Sequence, residues 1–106
     1  MVIQSAKEVH DTWRKAILKK YLEDIPVEKE FAIATKIDYA LRDGLPDTVY
    51  DGVWEGDIHN GKVLWESIAK YLMAMGYTVD CNKAPDSDRM LIHIRWDKPG
   101  ELEFLP

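Results

Sequence analysis

Leu64, Ile68, Tyr71, Leu72 and Met75 fall at offsets 0, 4, 7, 8 and 11, Gly76 follows, and Tyr77-Thr78-Val79-Asp80-Cys81 then alternates apolar with polar. The first spacing is the buried stripe of an α-helix, and the second is a half-buried strand of period 2. Gly76 suits the junction, because glycine readily takes the left-handed conformation that ends many helices. Asn60 reads as the cap at the other end of this helix. A chain that changes period across one residue is built around a helix lying on a sheet.

The remaining elements fit that plan. A helix is expected from about Ser5 to Asp24, opened by the S-x-x-E capping box of Ser5 and Glu8. Its apolar stripe is Val9, Trp13, Ala16/Ile17 and Tyr21, and Lys7, Asp11, Arg14, Lys15 and Lys19 lie opposite. Pro26 separates it from a second helix over Val27–Asp43, with Glu28 and Glu30 in the first turn and Gly44 as the stop. Phe31, Ala34, Ile37 and Leu41 mark its expected buried face, widened by Ile33 and Ala40. Met90, Ile92, Ile94 and Trp96 share one side of a final strand, and the turn-forming Asn82–Asp88 makes it an antiparallel hairpin with the Tyr77 strand. Thr48–Trp54 is a third strand. Its Asp51-Gly52 pair is a tight hairpin turn or a bulge, and one bulged strand is favoured because three-residue arms make a poor hairpin.

A helix crossing between the Thr48 and Tyr77 strands makes those strands parallel. The expected fold is therefore α+β: three helices packed on one face of a small, roughly three-stranded mixed sheet with a C-terminal antiparallel hairpin. It forms a single domain over 1–98, followed by a short tail, 99–106. The tail's Leu102, Phe104 and Leu105 either tuck against the domain or dock on a partner. With 106 residues and one cysteine, the chain has room for one core, no intramolecular disulfide and no Cys-rich zinc site. No apolar run approaches the ~20 residues of a membrane span, and the N-terminus lacks the apolar core of a signal peptide.

The formal net charge of −5 argues against direct nucleic-acid binding. It is also localised. Residues 38–57 hold Asp38, Asp43, Asp47, Asp51, Glu55 and Asp57 against one base, Arg42, so this stretch alone carries −5 and the other 13 acids and 13 bases cancel. The stretch also holds Tyr39, Tyr50 and Trp54. Asp43, Asp47, Tyr50, Asp51, Trp54, Glu55 and Asp57 thus form a candidate partner-binding segment for a protein with a basic surface, with Trp54 as the leading anchor. The same residues also read as a solvated, solubilising loop, since turns favour Asp for local backbone reasons. The basic cluster Arg14, Lys15, Lys19 and Lys20 is a solvated helix face or a complement to the acidic segment of another copy, which would give a homo-oligomer.

Catalytic and metal motifs are lacking. Asp57 and His59, with Glu55 and Asp51 near, match no known ligand loop. There is no P-loop, G-x-G-x-x-G or G-x-S-x-G. Cys81 shares a strand face with Tyr77 and Val79 and reads as a buried, inert thiol, and His93 points away from the core-facing Ile92 and Ile94. Trp13 and Trp96 are expected to pack in the core, while Trp54 and Trp65 fall outside the core stripes. The expectation is a protein without catalytic residues, cofactor or metal.

S-A-K-E at Ser5–Glu8, I-x-x-A-x-x-x-G at Ile37, Ala40 and Gly44, G-Y-x-V at Gly76, Tyr77 and Val79, and I-x-I-x-W at Ile92, Ile94 and Trp96 follow one another in this order. The arrangement resembles a loose group of small accessory proteins of tailed bacteriophages and covers most of the chain up to Trp96. The chain departs from it in the acidic middle segment Leu45–Gly61. The resemblance implies no catalytic residues. It implies a phage protein in the cytoplasm of an infected bacterium, interfering with a host enzyme or defence protein, or else a capsid or tail component acting as an oligomeric building block.

Overall fold

In the computed structural model, residues 3–97 are described; the tail 99–106 lies outside them. The order is α1 (Ala6–Glu23), α2 (Val27–Arg42), β1 (Asp47–Trp54), β2 (Ile58–His59), β3 (Lys62–Val63), α3 (Leu64–Ala74), β4 (Thr78–Lys83) and β5 (Arg89–Arg95). The class is α+β, and the C-terminal hairpin is β4–β5.

The helix ends follow from local chemistry. The Glu8 N–H donates to Ser5 Oγ at 3.2 Å, half of the expected capping box. Gly44 and Gly76 follow α2 and α3 with φ of 70° and 101°, a region open to glycine without steric penalty. Asn60 does not cap α3, whose N-cap is Val63. Asn60 and Gly61, with φ of 52° and 73°, form the two-residue turn of the small β2–β3 hairpin. Two consecutive positive φ angles are the hallmark of a type I′ hairpin turn, for which Asn-Gly is the preferred pair.

The main sheet has the order β1-β5-β4. β1 and β4 run parallel to one another, as a helical crossover requires, but β5 lies between them. Both pairings are therefore antiparallel, and the sheet is not mixed. β1 is one bulged strand: Tyr50 pairs with Ile92 and Val53 with Met90, so Asp51 and Gly52 together oppose Leu91. The bulge resets the alternation so that Tyr50 and Val53 both face inward. The Tyr50 ring lies against Gly52, where an added Cβ would sit 2.6 Å from Cζ. The Gly52 carbonyl accepts a hydrogen bond from Lys29 Nζ in the first turn of α2.

One hydrophobic cluster occupies the inward side of the sheet, with Val53, Ile68, Ile92 and Ile94 wholly buried. Each such side chain contributes about 1.5–3 kcal/mol through burial. α2 rests on β1, and α3 crosses all three strands. α1 meets the domain through α3, so the three helices do not share one layer on the sheet.

Two expected stripes are corrected. α2 buries Ile33 and Ala40 with Ile37 beside them, and it leaves Phe31 73% and Leu41 54% exposed. This helix is apolar on nearly every side, so β1 decides which side is covered. α1 buries no residue, and Trp13 is 39% exposed. Trp96 packs partly buried on the core edge-to-face with Tyr77, centroids 6.4 Å apart, and Trp65 also packs against the core.

Candidate functional site

Every second residue of the sheet points away from the helices. On β1 these are Asp47, Val49, Asp51 and Trp54, on β5 Arg89, Leu91, His93 and Arg95, and on β4 Thr78, Asp80 and Asn82. The register sets Val49, His93 and Asp80 in one row, and Asp47, Arg95 and Thr78 in the next. The charged side chains reach diagonally, within range for long side chains on a pleated surface. His93 Nε2 shares a hydrogen bond with Asp47 Oδ2 at 2.6 Å. Arg95 Nη2 donates to Asp80 Oδ2 at 2.7 Å, and Arg89 Nη1 to Asp51 Oδ2 at 3.5 Å. The Arg89 guanidinium also covers the Trp54 ring, 5.1 Å from its centroid.

At one corner, Lys83 Nζ lies 3.2 Å from both Glu55 Oε2 and Asp88 Oδ1. Its hydrogen bonds with Glu55 and then Asp88 raise its pKa above the ordinary lysine value. These pairs are solvent-exposed, so each contributes little to stability, about 0–1 kcal/mol. They order the surface without locking it: each half-exposed charge can exchange its partner for one on another molecule.

The acidic segment is thus taken apart in space. Asp47, Asp51 and Trp54 reach the open face, with Glu55 at its corner. Asp38 pairs with Arg42 at 2.9 Å within α2. Asp57 has a local role, its Oδ2 accepting the Trp54 N–H at 2.9 Å and closing the turn after β1. Asp43 stands exposed at the C-cap of α2. Tyr50 is buried in the core, 4% exposed, and lies outside any surface site. Burial, then Asp51, then Glu28 push its hydroxyl pKa upward.

The bases that answer the acids, Lys83, Arg89, His93 and Arg95, all come from the C-terminal hairpin and were not singled out from the sequence as binding residues. For Arg89, His93 and Arg95 the signal is the outward phase of β5, which becomes informative once β1 is known to pair with it, whereas Lys83 ends β4 in register with the inward-facing Met90.

Among the described residues, no group of three or more His, Cys, Asp or Glu converges as a metal site. Cys81 is half-buried on the inward side, and burial followed by Asp80 pushes its thiol pKa up, away from the reactive thiolate. No described helix is long and apolar enough to cross a membrane. No protein-family model, curated protein or solved structure matches the chain.

Proposed function

We propose that this chain is a non-catalytic binding module that docks another protein on the open face of its sheet. The observation that carries the reading is Trp54. Its indole is 46% exposed, fixed by Arg89, and shares a face with the apolar Val49 and Leu91 among rows of paired charges. An aromatic anchor with a polar surround is a common composition for an energetic centre of an interface. Because its charges largely answer one another, this face suits a partner with interspersed charges of both signs better than a uniformly basic one.

The resemblance to phage accessory proteins supports a setting in an infected bacterium and interference with a host enzyme or defence protein. A capsid or tail building block is the alternative, and its presence in stoichiometric amounts in purified particles, read by mass spectrometry, would favour it. The test of the binding face is affinity capture with the wild-type chain and Trp54→Ala in parallel. We expect a partner held by the wild type and lost by the variant, with unchanged circular dichroism. Equal capture by both would remove the sheet face from the interaction.

A further inference from the structure

The two edges of the main sheet are finished differently. The free edge of β1 is closed. Its bulge interrupts the strand, Lys29 Nζ donates to the Gly52 carbonyl, and Asp57 Oδ2 accepts the Trp54 N–H. Bulges and covering groups are the usual means by which a sheet stops pairing at its edge.

β4 forms the other edge and has none of these devices. It pairs with β5 in unbroken register from Thr78 to Lys83 and contains no proline. Just beyond it, the Ala84 N–H donates to the Arg89 carbonyl at 2.8 Å, so position 84 turns its backbone groups toward β5. Alternation along an antiparallel ladder then turns the groups of Asp80 and Asn82 the same way, and those of Val79, Cys81 and Lys83 outward. Among the described residues, no hydrogen bond answers the N–H and C=O groups of these three. The inward side chains of Val79 and Cys81 are only half-buried at this rim.

We propose that β4 of a second copy completes this edge, paired antiparallel about a two-fold axis with Cys81 opposite Cys81. In that register Val79, Cys81 and Lys83 exchange backbone hydrogen bonds with Lys83, Cys81 and Val79 of the second copy, and every free group is answered. On the open face Asp80 comes opposite Asn82. Its carboxylate already accepts from Arg95 at 2.7 Å and has a second oxygen for the Asn82 amide. On the inward face Cys81 meets Cys81, and Val79 meets the stem of Lys83. Neighbouring registers fit worse. A slip of one residue sets inward side chains against outward ones. A slip of two sets Asp80 against Asp80, or Val79 against Pro85, which has no N–H. The edge is thus self-complementary in one register, which is what a two-fold interface requires and what singles out a second copy. The two three-stranded sheets become one, with β1 and Trp54 far from the seam. Dimerisation and partner binding on the open face therefore stand or fall independently.

Sedimentation equilibrium of the full chain, from micromolar to hundred-micromolar concentrations, should give a mass rising toward twice 12.3 kDa. Cys81→Pro removes an N–H that faces the edge and spares the ladder to β5, so it should give a folded monomer by circular dichroism. Cross-linking reads the register, and it decides the matter should Cys81→Pro fail to fold. Asp80 and Asn82 of the two copies form a non-hydrogen-bonded pair with Cα atoms about 4.5 Å apart, within reach of a disulfide. Asp80→Cys and Asn82→Cys, each combined with Cys81→Ala and mixed in equal amounts, should give a disulfide-linked dimer under diamide. The diamide takes up the two electrons and two protons released as the S–S bond forms. Either variant alone should give a small fraction of that yield. Trp54→Ala should sediment as the wild type does. A monomer at every concentration overturns the proposal. So does a folded Cys81→Pro variant that still dimerises, or a mixture that cross-links no better than either variant alone. A dimer lost in Trp54→Ala also overturns it, since the second copy would then sit on the open face.

Discussion

The two faces of the sheet share one backbone ladder and differ in almost everything else. On β5, Met90, Ile92 and Ile94 are buried, while Leu91, His93 and Arg95, interleaved with them, remain partly open. Cohesion is concentrated on the inward side, where dispersion and water exclusion act together, and the outward side holds exchangeable ionic contacts that can vary without unfolding the chain. The contrast is sharpest between neighbours. Ile92→Ala leaves a cavity at a wholly buried site and should lower the unfolding free energy by about 2–5 kcal/mol. His93→Ala, one residue away, should lower it by no more than about 1 kcal/mol. Urea denaturation of both variants measures this, and similar losses would mean that the outward face is also structural.

The bulge in β1 is where the two faces are coupled. It lets Tyr50 and Val53 point inward while Asp51 and Trp54 point outward, and it depends on a residue at position 52 with no side chain. Gly52→Ala drives a methyl group into the Tyr50 ring. We expect a loss of about 1–3 kcal/mol, typical of overpacking. In combination with Tyr50→Ala, the loss should be smaller than the sum of the two single losses, because the second change removes the atoms that clash. Strict additivity in that double-variant cycle would break the assignment.

Which parts of this arrangement were visible in the sequence follows from the range of the forces involved. The Ser5 cap, the Gly44 and Gly76 stops, the phase of β5 and the bulge at Asp51-Gly52 depend on residues a few positions apart, and all were legible. The covered side of α2 was not. Phe31 and Leu41 are as apolar as Ile33 and Ile37, and only the position of β1 separates them. Asn60 suits a helix N-cap as well as the first position of an Asn-Gly turn, and only the pairing of β2 with β3 decides for the turn. The candidate site was legible in half. Asp47, Asp51 and Trp54 stand in one linear acidic segment, yet charge counted along a chain does not show that Arg89, His93 and Lys83 lie across from it at sequence separations of 28 or more. Tyr50 belongs to the same segment in sequence, but its inward direction depends on pairing with Ile92.

A smaller effect separates the faces by titration. Cys81, Tyr50 and Tyr71 belong to the inward side, and burial is the first cause raising each pKa, from ordinary values of 9.0 for the thiol and 10.0 for the hydroxyls. The folded state therefore holds these protons more tightly than the unfolded chain does. Their contribution to stability is fully present below pH 9.0 and is lost as pH rises through that value toward the raised folded values. The urea midpoint should fall from pH 9 upward, and Cys81→Ala should delay the onset toward the tyrosine range. An onset that Cys81→Ala leaves unmoved would show that the thiol does not begin the loss.

The smallest stability effect should come from the residue that matters most to the binding proposal. Trp54→Ala removes an exposed cation–π contact with Arg89, worth about 0.5–1 kcal/mol, and opens no cavity in the core. Its urea midpoint should lie close to that of the wild type. Arg89→Ala also removes the Asp51 contact and frees the indole, so it should match or slightly exceed that loss. A loss of about 3 kcal/mol for Trp54→Ala would place the indole among the structural residues and merge the two faces into one. A near-neutral outcome keeps the two faces distinct, with the half-exposed indole outside the set of residues that hold the fold.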